Sequence, residues 1–485
     1  MSSLFRSGRQ PRQVFLLFGL VLLASTGWAF LKDQYYLLSL PLFFVGGLVV
    51  LTDYRLLYYL LLVSLPFSME ISLPGGFSLY FPTEPLMLVL AACGLGTWLQ
   101  GGFSGGSLPA RHSLWLLLFL WVGWAVFTTL FSVDYLKSVK YLVAQVLYLA
   151  VFFGLTYAIL ARPADIRKVW QWYLLALAAV RVWVLGRHLL LGFAFAAVNR
   201  AVSPFFLNHV VYAVVCGLSL PFALYLAWFH RRRRAVVIWG GVALLAAVAV
   251  FFSYTRATWL ALPAAGLYAL ILKRGWLRPL LLVVFLAVAT GFLYLQQHNR
   301  YLAYAPDYEK TIFHKGNLGK HLAATYKLED VSGMERIYRW IAAIRMGADK
   351  PFTGSGPSTF YPVYKKYTVK GFSTYVSDNP EKSTTHNTFL LQLAEQGVIG
   401  CGILVGLISF MLIWPQRLYH RTRNPEHRAL ILATGTSLFI IIFHLLLNEL
   451  LAQDKIGAFF FIGMAILLRL EGWINSPQTT NHGPQ

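Results

Sequence analysis

The stretch FFLNHVVYAVVCGLSLPFALYLAWF (205–229), HRRRR (230–234), AVVIWGGVALLAAVAVFFS (235–253) decides how this chain folds. Two apolar runs, each near the roughly 20 residues that carry a helix across a bilayer, are joined by a turn holding four arginines. The runs do not alternate apolar with polar residues, so they are not barrel strands. Arginines cluster in cytoplasmic turns of membrane proteins, so this turn reads as inside and both flanking runs as membrane helices.

Outward from that pair the pattern repeats. Further spans read at about 14–31, 36–52, 55–68, 83–100, 113–131, 141–161, 169–190, 257–273, 279–296, 388–414, 428–447 and 456–474, about fourteen in all. The runs 55–68 and 257–273 are short, so the range is 12–14. The fold class is therefore an all-α polytopic membrane protein. Composition agrees: of 485 residues, 58% are hydrophobic and 12% charged, with mean hydropathy +0.60. Soluble domains sit near 45–50% apolar and about 25% charged, which excludes a soluble enzyme and a disordered chain.

The net charge of +22 follows from the same topology. With the N-terminus inside, twenty cations fall in inside segments and six in short outside ones. Cytoplasmic loops facing anionic lipid account for the excess, and nucleic acid is not an expected partner. Arg6, Arg9 and Arg12 precede an apolar run over 13–31 with no clear small-x-small cleavage site, so an uncleaved first helix is expected. Cys93, Cys216 and Cys401 lie in or beside apolar runs without CxxC spacing and read as core residues.

This topology divides the chain into an N-terminal transmembrane bundle of about eleven spans (1–296), a long outer loop (297–387), C-terminal transmembrane helices (388–475) and a short cytoplasmic tail (476–485). The loop is the only soluble-like block. GMERIYRWIAAIRM (333–346) has helical spacing, with Ile337, Trp340, Ile341 and Ile344 on one stripe, and GSGPSTF (354–360) is a turn cluster.

Outside cations stand out because most outside loops are short. Arg200 lies in NRAVSPF before a span, Arg256 in SYTRATW between two spans, and His386 in THNTF where the long loop returns. The topology puts all three at one membrane face. A guanidinium fork suits phosphate oxygens and an imidazole can move a proton, so the set suits a lipid-linked phosphate or diphosphate. An interfacial arginine also serves as a headgroup anchor, and a histidine opening a span is often structural. Arg181 and Arg187 read as partners for an intramembrane acid such as Glu449 or Glu395, and His444 and Asn448 as bonds between helices.

Two local sequences tilt that balance. THNTFLLQLAEQGVIG (385–400), with His386, Asn387, Glu395 and Gly397 to Gly400, and SYTRATWLALPAAG (253–266), with Ser253 and Arg256, resemble the O-antigen ligase and O-antigen polymerase family of bacterial membrane glycosyltransferases. RIYRWIAAIRM followed by KPFTGSGPSTF (350–360) is similar to that family's arginine-rich helix, proline and Gly-x-Gly turn. The resemblance covers roughly 250–410; the N-terminal half is similar only in hydropathy and layout. After Arg200 the chain reads Ser203-Pro204-Phe205 where the family has a glycine-rich stretch, so Arg187 is an alternative to Arg200.

The resemblance implies a GT-C-like, inverting transferase at the periplasmic face of the bacterial inner membrane. It implies a donor glycan on undecaprenyl diphosphate, an acceptor glycolipid or glycan, and no metal or other cofactor. The outer segments hold no DxD and no HExxH. His386 would be the general base or orient the acceptor, and Arg256 and Arg200 would bind the diphosphate. Arg336, Arg339, Asn387 and Arg187 are further substrate-binding candidates, with a solvated helix face the alternative for Arg336 and Arg339. A polymerase of the same family, a secondary transporter and a non-catalytic assembly subunit are the rival readings.

Overall fold

The computed structural model describes residues 54–73, 77–99, 112–230, 232–298, 331–369, 379 and 383–476. The spans expected at 14–31 and 36–52, the uncleaved first helix, most of the tail and much of the long loop lie outside them. The helices are α1 (Tyr54–Ser64), α2 (Thr83–Leu99), α3 (Ser113–Leu130), α4 (Tyr135–Ile159), α5 (Pro163–Leu190), short α6 (Val198–Val202), α7 (His209–Phe229), α8 (Arg233–Phe252), α9 (Arg256–Arg274), α10 (Leu277–Gln296), α11 (Val331–Asp349), short α12 (Phe360–Val363), α13 (Thr388–Arg421), α14 (Pro425–Leu445) and α15 (Asp454–Asn475). Among the described residues eight helices are long and apolar enough to cross a membrane: α3, α4, α5, α7, α8, α13, α14 and α15. The chain is a multi-pass, all-α membrane protein. Helices also stand where spans were read at 55–68, 83–100, 257–273 and 279–296.

Local chemistry sets the ends. Asn208, Asn387 and Asn424 cap α7, α13 and α14, each side-chain oxygen accepting from backbone amides of the first turn. Proline opens α5 and α14, where no amide partner is needed. The cap at Asn208 starts α7 later than the 205 read from hydropathy. One element was not anticipated: an antiparallel hairpin, β1 (Met69–Leu73) with β2 (Phe77–Phe81).

α15 is the most buried of the eight spans, enclosed on all sides from Asp454 to Leu470, as a helix without a lipid face should be. Its Phe459 meets Trp170 of α5, which stacks on Phe222 of α7 at 3.5 Å. The outward faces of α3, α8 and α10 expose Phe119, Leu244 and Phe285, as lipid-facing surfaces would.

The bundle has two distinct ends. At one, Lys455 Nζ donates to the carbonyls of Pro66, Ser68 and Phe205, joining three loops. At the other, Arg167 pairs with Glu426, and Gln416 accepts from the amide of Leu277. His386, Arg256 and Arg200 all belong to the first end, since they precede α13, head α9 and lie in the loop before α7.

The expected pairing of Arg181 with an acid is corrected. Arg181 is fully buried and reaches Cys216 Sγ and O at 3.4 Å and the Ser219 hydroxyl, all on α7. Among the described residues Arg187 likewise finds no acid: it donates to the Ser203 carbonyl and lies over Trp183. His444 does bond between helices, its Nε2 lying 2.9 Å from Thr258 Oγ1 of α9.

Candidate active site

The site is organised by a break in α13. Gly397 has φ 69° and ψ −172°, which interrupts the helical hydrogen bonding. Inside a membrane, backbone groups freed this way must find protein partners. They do. The carbonyls of Ala394, Glu395 and Gln396 accept from Ser355 N (3.1 Å), Gly356 N (2.8 Å) and Trp124 Nε1 (2.9 Å). The Val398 amide donates to Pro351 O at 2.8 Å. The turn 351–358 of the long loop thus plugs the broken helix. The Glu395 carboxylate adds two contacts, accepting from Ser358 N and Phe360 N at 2.8 Å each.

This close approach explains two glycines. A Cβ on Gly354 (φ 64°) would lie 2.3 Å from the Glu395 carbonyl carbon, and one on Gly397 would lie 2.3 Å from Phe352 O. Both obstacles are backbone, and both φ values disfavour side chains. Gly354→Ala and Gly397→Ala are each expected to cost several kcal/mol, roughly 3 or more from combined strain and overpacking. Gly402→Ala, in open space, should be nearly silent. Thermal unfolding of the three proteins in detergent checks this.

The same docking holds α11 in place. Its Ala342, Ala343 and Met346 bury against Ala394, Phe360 and Tyr364, and Gly347 sits tight on Leu393. The buried face is therefore rotated from the stripe read in the sequence: Ile341 is buried, but Ile337, Trp340 and Ile344 are only half-buried. Trp340 instead donates to the carbonyl of Thr385 at 2.9 Å, tying α11 to the residue before His386.

His386 sits in a left-handed turn, φ 52°, a conformation uncommon for a side-chain-bearing residue and concentrated at functional sites. The neighbours hold it. Thr385 Oγ1 accepts from Asn387 N and lies 3.0 Å from Glu449 Oε1. Asn387 donates to Leu446 O (3.0 Å) while capping α13, and Thr388 donates to Asn448 O (2.9 Å). Among the described residues nothing hydrogen-bonds the imidazole itself. Burial, then the cations of Arg336 and Arg339, push its pKa down to about 4. Both causes favour the neutral form of the imidazole.

The two alternatives for those arginines resolve unequally. Arg339 is buried, 3.3 Å from Glu335 and 3.5 Å from Asn379, so it is not on a solvated face. Arg336 is half-buried and bears on His386 by its charge.

Arg256 heads α9, at the positive end of the helix dipole, where a cation does the helix no favour but where an anion is doubly attracted. Ser253 shapes the entry, its hydroxyl accepting from Thr255 N. The starts of α9 and α13 are tied together through the end of α14. Thr258, two residues after Arg256, meets His444, and the turn that begins there presents Leu446 and Asn448 to Asn387 and Thr388. Arg200, on α6, is exposed and makes no hydrogen bond to the described residues. The carbonyls on either side of Pro204 are gripped by Arg187 and Lys455, which fixes the segment just after Arg200. Arg187 therefore supports that segment.

Residues 241–405 match the family model described as O-antigen ligase. The match spans about a third of the chain and supports the O-antigen ligase family. No curated protein matches the chain. The O-antigen ligase segment contains Arg256, Arg336, Arg339, His386, Asn387 and the broken part of α13; Arg187 and Arg200 precede it. The family is glycosyltransferase-like, and its substrates are glycan or lipid-linked. Sequence reasoning missed Thr385 and the Glu449 contact with it. Glu449 stood out only as a partner for Arg181 or Arg187. Among the described residues no group of three or more His, Cys, Asp or Glu side chains is placed to hold a metal.

Proposed function

We propose that the protein transfers a glycan from undecaprenyl diphosphate to an acceptor hydroxyl at the periplasmic face of the bacterial inner membrane, as an inverting, metal-independent O-antigen ligase. Both termini would then be cytoplasmic. The observation that carries this is His386 in a left-handed turn (φ 52°) at the end of the long loop, with Asn387 and Thr388 beside it fixed to the turn after α14 and the charges of Arg336 and Arg339 bearing on it. A neutral imidazole can accept a proton, and cations around it favour an anionic leaving group.

The chemistry follows. The acceptor oxygen forms a bond to the anomeric carbon from the face opposite the diphosphate. The bond from that carbon to the phosphate oxygen breaks, and its electron pair leaves with undecaprenyl diphosphate. The acceptor proton passes to His386 Nδ1 or Nε2. Arg256 and Arg200 meet the charge growing on the departing diphosphate, and Arg336 and Arg339 hold donor or acceptor near the imidazole. Asn387 keeps the turn that aims His386.

A pH prediction follows. The active form is neutral His386, so lowering its pKa extends activity toward acid. The acidic limb of the transfer rate should fall near pH 4 rather than near 6.5, the ordinary value. In Arg336→Gln the limb should move upward while staying below 6.5, because burial is the larger cause. Rate against pH for both proteins measures this; a limb at 6.5 in each would remove His386 from the role of base.

Product size separates the members of the class. Incubation with lipid-linked repeat units and a lipid A-core acceptor should give single transfers; ladders of repeats would make the protein a polymerase. Uptake of the glycan without transfer would favour a transporter. That reading needs paired halves with broken helices, whereas the Gly397 break is filled by the loop turn 351–358.

A further inference from the structure

We propose that a cavity at the membrane face opposite His386 binds the phosphodiester headgroup of an anionic phospholipid. The cavity, about 210 Å³, lies where the start of α3, the C-terminal end of α13 and the end of α15 meet, lined by His112, Phe410, Trp414, Arg417, Arg421 and Glu471. A water molecule's share of liquid volume is about 30 Å³, so the space admits a phosphate with part of its ester.

The charges leave a vacancy for one negative group. Glu471 is fully engaged: Oε2 accepts from His112 Nε2 (2.9 Å) and Trp414 Nε1 (2.6 Å), and Oε1 from Arg421 (3.3 Å). Both ring nitrogens of His112 are engaged, Nε2 with Glu471 and Nδ1 with Leu114 N while capping α3. Arg417 is exposed and makes no hydrogen bond or ion pair to the described residues. Two guanidinium groups thus face one carboxylate, an excess of one positive charge, which matches a phosphodiester. Phe410 and Trp414, 5.2 Å apart, supply an aromatic wall at the depth where such rings meet headgroups. Basic pockets between helices at a membrane face are the usual setting for headgroup recognition.

α3 and α13 are the helices that meet at the Gly397 break, through Trp124. A bound headgroup would bridge their far ends and join them to α15. Ligands that bind only the folded state raise its stability.

The full-length protein, purified in detergent, is titrated with phosphatidylglycerol, phosphatidylcholine or inorganic phosphate, with Tm and native mass spectrometry as readouts. Phosphatidylglycerol is expected to stay bound and raise Tm, and the other two to do neither. Arg417→Gln should keep the lipid-free Tm and bind phosphatidylglycerol about fivefold more weakly, equivalent to the ~1 kcal/mol of one surface cation; Arg417→Lys should recover most of the binding. Equal responses to phosphatidylcholine, or an unchanged response in Arg417→Gln, would overturn the proposal. A response to inorganic phosphate matching that to phosphatidylglycerol would make the site one for free phosphate and overturn the lipid assignment.

Discussion

Replacing His386 with alanine is expected to slow glycan transfer by about 10²–10⁴-fold, the range a positioned general base contributes. The fold should survive, because no described residue hydrogen-bonds the imidazole. Alanine at φ 52° adds some strain of its own, so His386→Asn is the cleaner partner. Asparagine tolerates the left-handed region but is no base. Both variants should unfold within a few degrees of wild type and both should be inactive. Wild-type rates in His386→Asn, measured on intact protein, would leave the turn important and the imidazole not.

The second large effect is expected at Arg256. Removing one preorganised contact to developing charge costs about 10²–10³ in kcat, and Arg256→Ala should fall in that range. Arg256→Lys should recover part of the loss, because a lysine restores the charge but not the two-pronged fork. The loss should appear mainly in kcat, since charge on the leaving diphosphate grows in the transition state. Inhibition by added undecaprenyl diphosphate should weaken in parallel. A change in acceptor KM alone would place Arg256 at the acceptor instead.

Much of the architecture could be read from the chain because membrane helices announce themselves one at a time. Each apolar run between basic turns carries its own signal, and the helices from α1 to α15 that were expected as spans stand where hydropathy put them. What hydropathy cannot show is which faces meet. The stripe Ile337, Trp340, Ile344 was a sound amphipathic pattern, yet α11 turns its small residues, Ala342, Ala343 and Gly347, toward α13, because close backbone approach outweighs bulk there. Arg181 was assigned an acid on electrostatic grounds. α7 offered a thiol, a hydroxyl and a carbonyl at the right height, and which helix lies alongside is a long-range fact. The hairpin at 69–81 is too short for a periodicity to register.

The site divides in the same way. His386 and Arg256 stood out as candidates because one closes the long outer loop and the other sits in a short outer one, where charged or titratable side chains are few. Glu395 was singled out, but its role was not visible: its carboxylate holds the amides of Ser358 and Phe360 across a gap of some 35 residues. The glycines at 354 and 397 were each seen in separate motifs. That they meet, one turn filling the other's break, follows only from the folded chain.

The most direct measurement is transfer by the purified, reconstituted protein from an undecaprenyl-diphosphate-linked glycan to a lipid A-core acceptor in the presence of EDTA. Released undecaprenyl diphosphate and the anomeric configuration of the product are both read. The account predicts release matched one to one by product, an inverted linkage, no effect of EDTA, and loss of both signals in His386→Asn and Arg256→Ala. A retained linkage, or normal turnover by both variants, would contradict it.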